Sequence, residues 1–459
     1  MKNLFVIVTI FCICCYGPST DIPPFRVNTD QGIRPDSTFP GYWHYNGNPT
    51  MLLGGSVADN LFQIDSLVQH LDLLVASGGN YVRNTMSSRN EGNEWSFLFI
   101  DSISKYDLDK WNDPYWSKFT YFLEETHKRD IIVQIEIWAT FDYYRDNWLV
   151  NPFNPKNNIN YTTDRTKLPI SIPTHPVYRD NPFFWSVPPM DNNMKLLQYQ
   201  QRFVDRLLLH TLHYPHILYC MDNETSVTGA WGAFWSAYIK KVAEESGKKI
   251  FTTEMWDPWD LDHLSHRESF DHPEVYDFVE ISQNNHQRGQ QHWDNGIKQI
   301  EKLRRKGDYR PVTSVKVYGN EEGGHGGGSQ NGIESFVRNV FFGASAVRFH
   351  RPESGLGLDP RAQNVIKGMR MVVDSTDFFS GKPAQTIFVG EMENQAYARL
   401  LEDGSTLIYS TQAGALELSL NEMKDVIRIN LSDARWTNLG KQNISNLQAT
   451  EQNVVFILR

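Results

Sequence analysis

Eight short apolar runs, each followed by a segment of helical period, constrain this chain more than any other feature. They fall at 51–55, 81–83, 131–137, 216–221, 250–253, 278–282, 312–318 and 346–350. Runs of this length, rich in β-branched and aromatic residues, read as buried strands. Between them, Ile64, Leu67, Val68, Leu71 and Leu74 recur at spacings of three and four, as do Leu196, Phe203, Leu207 and Leu208. The segments 230–245 and 297–305 have the same period. Eight strand–helix units over about 330 residues predict a (β/α)8 TIM barrel. The other fold open to this alternation is a doubly wound open sheet. No glycine-rich phosphate loop follows the first run, which removes the commonest reason for that fold.

After Pro383 the period shortens. Alternating runs at 386–389, 396–400, 406–410, 426–429 and 454–458 are separated by turn signals such as Glu402-Asp403-Gly404. They predict a small all-β antiparallel sandwich, which would cover the barrel or bind glycan. The start, Met1-Lys2-Asn3 and then an apolar run from Leu4 to Cys15, has the form of a signal peptide rather than a membrane span. The expected organisation is a leader over 1–20, a barrel over 21–382 and a sandwich over 383–459. The mature protein is expected to be secreted, periplasmic or held at the cell surface, with no transmembrane span. Cys12, Cys14 and Cys15 lie in the leader, where a lipid-modified cysteine would tether the N-terminus. Only Cys220 remains beyond it, so the fold relies on its core rather than on disulfides.

The net charge of −10 argues against a nucleic-acid partner, which needs a basic patch. It also weighs against a strongly anionic polysaccharide, unless the cleft is locally basic. Aromatics make up 13% of the chain, enough to fill a core and also to offer flat faces to sugar rings. The longest connection, 138–188, is rich in Asn, Pro and aromatics. In a barrel it falls on the C-terminal face, where active sites lie, and reads as an ordered substrate wall.

The fourth run ends in Met221-Asp222-Asn223-Glu224-Thr225-Ser226. Glycoside cleavage needs an acid to protonate the leaving oxygen and a second carboxylate to attack or to activate water. An Asn-Glu pair at the end of a fourth barrel strand resembles the clan A glycoside hydrolases, over roughly residues 40 to 380. The resemblance implies a glycosidase cleaving O-glycosidic bonds in a polysaccharide or oligosaccharide. Glu224 would be its acid/base and Asn223 would bind the substrate 2-hydroxyl. The clan often has an arginine that holds the nucleophile at the end of strand two, where Arg83 and Asn84 stand, and a His or Tyr facing the substrate after strand six, where Asn285 and His286 stand. With Trp138 at the end of strand three they read as a polar or stacking substrate wall. His350 and Arg351, after strand eight, sit on the same catalytic face as candidates to bind substrate hydroxyl or carboxylate groups. Each of these has a scaffold alternative, and Glu224 could instead cap the following helix.

The sequence departs from that pattern at strand seven. Where the clan places its nucleophilic Glu, this chain has Lys316, with Tyr318 close by. Three accounts stay open. Glu321 reaches the site on a longer strand; Glu254 or Asp257, after strand five, supplies the second carboxylate; or the barrel has lost hydrolysis. A lysine beside a carboxylate lowers that carboxylate's pKa, which suits the partner of a nucleophile. The acid role expected of Glu224 requires the opposite shift. No metal or organic cofactor is needed.

Other chemistries fit less well. There is no Gly-x-Ser-x-Gly elbow and no His-Glu-x-x-His zinc motif. His263, His266 and His272 sit in an acidic polar loop and read as solvated. Asn160, Asn223, Asn430 and Asn443 stand in glycosylation sequons. Two rivals remain: a non-catalytic glycan-binding surface protein on the same barrel, and a polysaccharide lyase with Lys316 or His286 as base.

Overall fold

A computed structural model describes residues 32–459 other than 177, 321–325, 391, 393 and 394. The leader and Glu321 therefore lie outside the described residues. Eight parallel strands form the barrel: β1 (Leu52–Gly55), β2 (Tyr81–Thr85), β3 (Ile132–Trp138), β4 (Ile217–Asp222), β5 (Thr252–Thr253), β6 (Val279–Glu280), β7 (Val312–Val317) and β8 (Ala346–Phe349). They run in the order β5-β4-β3-β2-β1-β8-β7-β6. Thr253 Oγ1 donates to Phe278 O at 2.7 Å and Asp277 N to Thr252 O at 2.8 Å, drawing the β5 and β6 ends together. A barrel helix follows each strand: α1 (Leu67–Ala76), α2 (Asp113–His127), α3 (Met194–Thr211), α4 (Gly229–Glu245), α5 (Leu264–Phe270), α6 (Gly289–Arg305), α7 (Ser329–Phe342) and α8 (Pro360–Ser375), with two short further helices, Arg145–Val150 and Thr163–Thr166, in the connection after β3. The apolar stripes recognised in the sequence face the strands; Leu67, Leu71 and Leu74 of α1 are buried.

Two strands are shorter than the sequence predicts. After Glu280 the chain turns at Ser282 into a short 3-10 helix, Ser282–His286. The Ser282 hydroxyl accepts from the backbone N–H of Val315 and Lys316 at 2.7 and 3.1 Å, so a side chain continues the ladder that the backbone leaves. At the barrel floor, a three-stranded antiparallel sheet over 34–50 buries Trp43 edge-on against Phe278. No apolar run or turn pattern in the sequence marks this plug. Glycine is required at position 54, where a Cβ would stand 1.9 Å from Tyr81 O.

The C-terminal domain is a six-stranded sheet of β9 (Lys382–Pro383), β10 (Ala396–Leu400), β11 (Thr406–Ser410), β12 (Met423–Asn430), β13 (Arg435–Asn443) and β14 (Val454–Leu458). Its order is β9-β10-β11-β14-β12-β13, antiparallel throughout. A two-stranded sheet, Gly414–Glu417 with Asn446–Ala449, packs on one face. In β14, Val454, Phe456 and Leu458 fill that inner core, while Val455 and Ile457 join the core of the barrel. Strand β14 is thus buried on both faces, each such side chain contributing about 1.5–3 kcal/mol. The strand expected at 386–389 is instead a turn, Gln385–Ile387. The Gln385 amide accepts from Ala398 N and donates to Ala396 O, standing in for backbone pairing.

Candidate active site

β4 delivers Asn223 and Glu224 to the mouth of the barrel, and the backbone there is held on both sides. Asn223 N donates to Trp138 O of β3 at 3.1 Å, and Thr225 N to Met255 O beyond β5 at 2.8 Å. Between these anchors Glu224 adopts φ +57°, a left-handed conformation that costs a non-glycine residue energy and recurs at functional sites. This aims its carboxylate into a cleft of about 560 Å³.

The Glu224 carboxylate is gripped on one oxygen. Oε1 lies 2.8 Å from Lys316 Nζ, and accepts from Tyr318 OH at 3.0 Å and Gln283 Nε2 at 3.3 Å. No hydrogen bond to Oε2 is made by a described residue. Lys316 also donates to Asn223 Oδ1 at 2.6 Å, and the Arg83 guanidinium lies 3.5 Å from the same oxygen. Burial opposes ionisation of Glu224. The charge and hydrogen bond of Lys316, with Arg83 and Tyr318, outweigh it and hold the pKa at about 2. The expected raised pKa is therefore reversed: Glu224 is an ionised carboxylate at neutral pH. The cause is Lys316, the residue at which the sequence left its pattern.

Asp257 behaves in the opposite way. Extended pairing between β4 and β5 resumes at Thr225 and Trp256, and Asp257 N donates to Thr225 O at 3.0 Å. This carries Asp257 into the same cleft as Glu224. Burial, and then the charge of Glu224, push its pKa up to about 7, against a smaller opposing effect of Lys316. No described residue donates a hydrogen bond to its carboxyl. Glu254, the other candidate after β5, does not reach the cleft. It is fully buried, with Oε1 accepting from the backbone N–H of Asp222 and Met255 at 2.9 and 3.0 Å. Burial and the neighbouring Asp222 carboxylate raise its pKa well above the usual range.

The wall over β8, β1 and β2 is an ion-pair network around Asp59. Its oxygens lie 3.1 Å from Arg83, 3.3 Å from Arg89, 2.8 Å from Arg351 and 3.7 Å from His350. Burial opposes ionisation of Asp59, but these neighbours bring its pKa well below the usual value. Burial also depresses the His350 pKa, so that ring is neutral. Arg83 pairs in addition with buried Glu136 at 2.7 Å and sits under the cleft.

His286, Lys316, Tyr318, His350 and Arg351 line the cleft together with Asn223 and Glu224. Three other predicted residues do not. Trp138 is buried against Trp231 and Trp235 of α4. Asn84 caps Phe62 N at 3.1 Å, and Asn285 ties Lys316 O to Asn339. Asn84 and Asn285 are scaffold because their amides are satisfied in the interior, and Trp138 because its ring is packed into the core, with no hydrogen-bond partner for its indole N–H among the described residues. Asp59, Arg89, Phe141, His175 and Trp259 also line the cleft and were not singled out from the sequence, and Glu353 and Ser354 of the loop after β8 complete the lining. Asp59 alone had a legible signal, as a carboxylate just beyond a β-strand of the barrel. The 138–188 connection supplies Phe141 and His175, and is ordered by its own aromatic core, with Tyr143 stacked on Phe183 at 4.0 Å. Among the described residues no group of three or more His, Cys, Asp or Glu is placed to hold a metal ion, and no helix is long and apolar enough to cross a membrane.

Solved structures share this architecture. A glycoside hydrolase family 5 protein from Bacteroides vulgatus ATCC 8482 superposes with a TM-score of 0.61 at 14% identity, covering 94% of this chain and 93% of its own. The fold is that of the glycoside hydrolase barrels. A second glycoside hydrolase aligns with a TM-score of 0.58 at 12% identity over 94% of this chain and 97% of its own. A family 5 mannosidase from Rhizomucor miehei gives 0.51 at 12% identity, over 76% of this chain and 99% of its own. No family model matches the sequence, and no curated protein is similar to it.

Proposed function

We propose that this protein is a glycosidase in which Asp257 is the general acid and Glu224 the nucleophile. The observation that carries this reading is a pair of carboxyl groups on one cleft whose pKa values are driven apart, to about 7 and about 2. Such a divergence assigns acid and base roles. Asp257 donates its proton to the glycosidic oxygen as the bond to the anomeric carbon breaks. Glu224 attacks that carbon through Oε2, the oxygen its three donors leave open. Ionised at neutral pH and with Oε2 open, Glu224 is the attacking carboxylate of the pair. Asp257, now ionised, then takes a proton from the water that releases the sugar, so configuration is retained. The carbohydrate substrate, and export directed by the leader over 1–20, belong to the same proposal.

The test is turnover of a panel of oligosaccharides and aryl glycosides by the wild type, Glu224→Gln and Asp257→Asn. Cleavage with retention, lost by about 10²–10⁴-fold in either variant, is the expected result. The ion pair between Lys316 and Glu224 favours one other reading, a glycan-binding protein without turnover. Binding by all three forms with cleavage by none would establish it.

A further inference from the structure

Eight of the thirteen tryptophans are less than 2% exposed, whereas Trp259 is 53% and Trp436 40% exposed. Of these two exposed indoles, Trp259 is the one that lines the cleft. It is also fixed in place. The ring stacks on His286 with centroids 3.9 Å apart and planes 14° from parallel. His286 in turn packs on Tyr318 at 4.7 Å, and the Tyr318 hydroxyl binds Glu224. A rigid column of three rings thus runs from the rim to the reactive carboxylate. A large flat ring held in one orientation presents apolar area at low entropic cost, the property a sugar-binding face requires.

Position along the chain decides which part of a substrate would lie there. Trp259 is two residues from Asp257, on the same turn after β5. Both residues line the cleft, so the group that protonates the glycosidic oxygen and the indole belong to the same wall. The network of Asp59, Arg89 and Arg351 occupies the far wall, over β8, β1 and β2. Resting on the catalytic roles given above, we infer that Trp259 is the platform for the leaving-group sugar. The substrate then lies across the cleft with its glycone toward Asp59 and its leaving group on the indole. That leaving group is a pyranose that offers a face of axial C–H bonds, rather than a small alcohol.

Two measurements test this, both with Trp259→Ala and Trp259→Phe. The first is calorimetric titration of gluco-, manno-, xylo- and galacto-trisaccharides into Asp257→Asn, with and without each Trp259 change. The second is kcat/KM on the trisaccharide cleaved fastest and on the 4-nitrophenyl glycoside of the same glycone. The expected result is a loss of binding in Trp259→Ala that Trp259→Phe largely restores. With it, the trisaccharide should lose at least about tenfold more kcat/KM than the aryl glycoside. Equal losses on both substrates, unchanged binding, or no binding of any trisaccharide by the parent overturns the inference. A trisaccharide held by Trp259 but cleaved by no form upholds the platform and overturns the hydrolytic reading instead.

Discussion

The two walls of the cleft are built from the same kinds of residue and finished differently. Over β8, β1 and β2, the Asp59 carboxylate is answered by Arg83, Arg89 and Arg351. Over β4 and β5, the Asp257 carboxyl faces an ionised Glu224 and has no donor among the described residues. The first wall satisfies its charges internally; the second leaves an acid to be satisfied by a ligand. Charge beside a cleft is therefore a poor marker of chemistry, and a perturbed, unanswered charge a better one.

The comparison is tested most severely by Asp257→Asn. Activity should fall by about 10²–10⁴-fold. Stability should not fall with it. A carboxyl whose folded pKa is about 7 stabilises the fold most below its unfolded pKa of about 4, and loses that contribution as pH rises through 7. The variant should thus melt at or above the wild-type temperature at pH 8, and a lower melting temperature there would erase the contrast between the walls. The matching change, Asp59→Asn, should act on the fold. Removing one carboxylate from three arginines leaves buried charge unanswered, at a cost of about 3–5 kcal/mol in denaturant unfolding.

Lys316→Met should have a smaller effect, on pH dependence. Lys316 depresses both carboxyls, so its loss should carry both limbs of the kcat/KM profile upward by about 1 pH unit or more. In the wild type the alkaline limb should lie near pH 7, where Asp257 loses its proton. The smallest change is expected from Trp259→Phe, a few-fold rise in KM that keeps the wild-type pH profile.

The barrel and the place of Glu224 were legible because they depend on local patterns: apolar runs, helical periods, and the end of a buried strand. The state of Glu224 was not, because it is set by Lys316, 92 positions away in the chain. Lys316 was noticed as a departure; its consequence needed the barrel to bring β4 and β7 together. Asp257 was weighed beside Glu254, and no sequence pattern separates two acids three residues apart. Burial does, since Glu254 turns onto the backbone of Asp222 and Asp257 turns to the cleft. Trp138 was misplaced for a similar reason: aromatic residues fill cores and line clefts alike. The plug over 34–50 left no trace because its strands are only two or three residues long.

Strand β14 sends alternate side chains into two different cores, and this governs how the molecule can be assembled. Synthesis must run through residue 458 before the helices outside β7 and β8 acquire their cover. A chain released at residue 382 would carry every cleft residue and still expose a greasy scar where Val455 and Ile457 should rest. Such a fragment would clump rather than work. The sheet is a late-arriving keystone, so a stop codon far downstream of the cleft would be as damaging as a lesion within it.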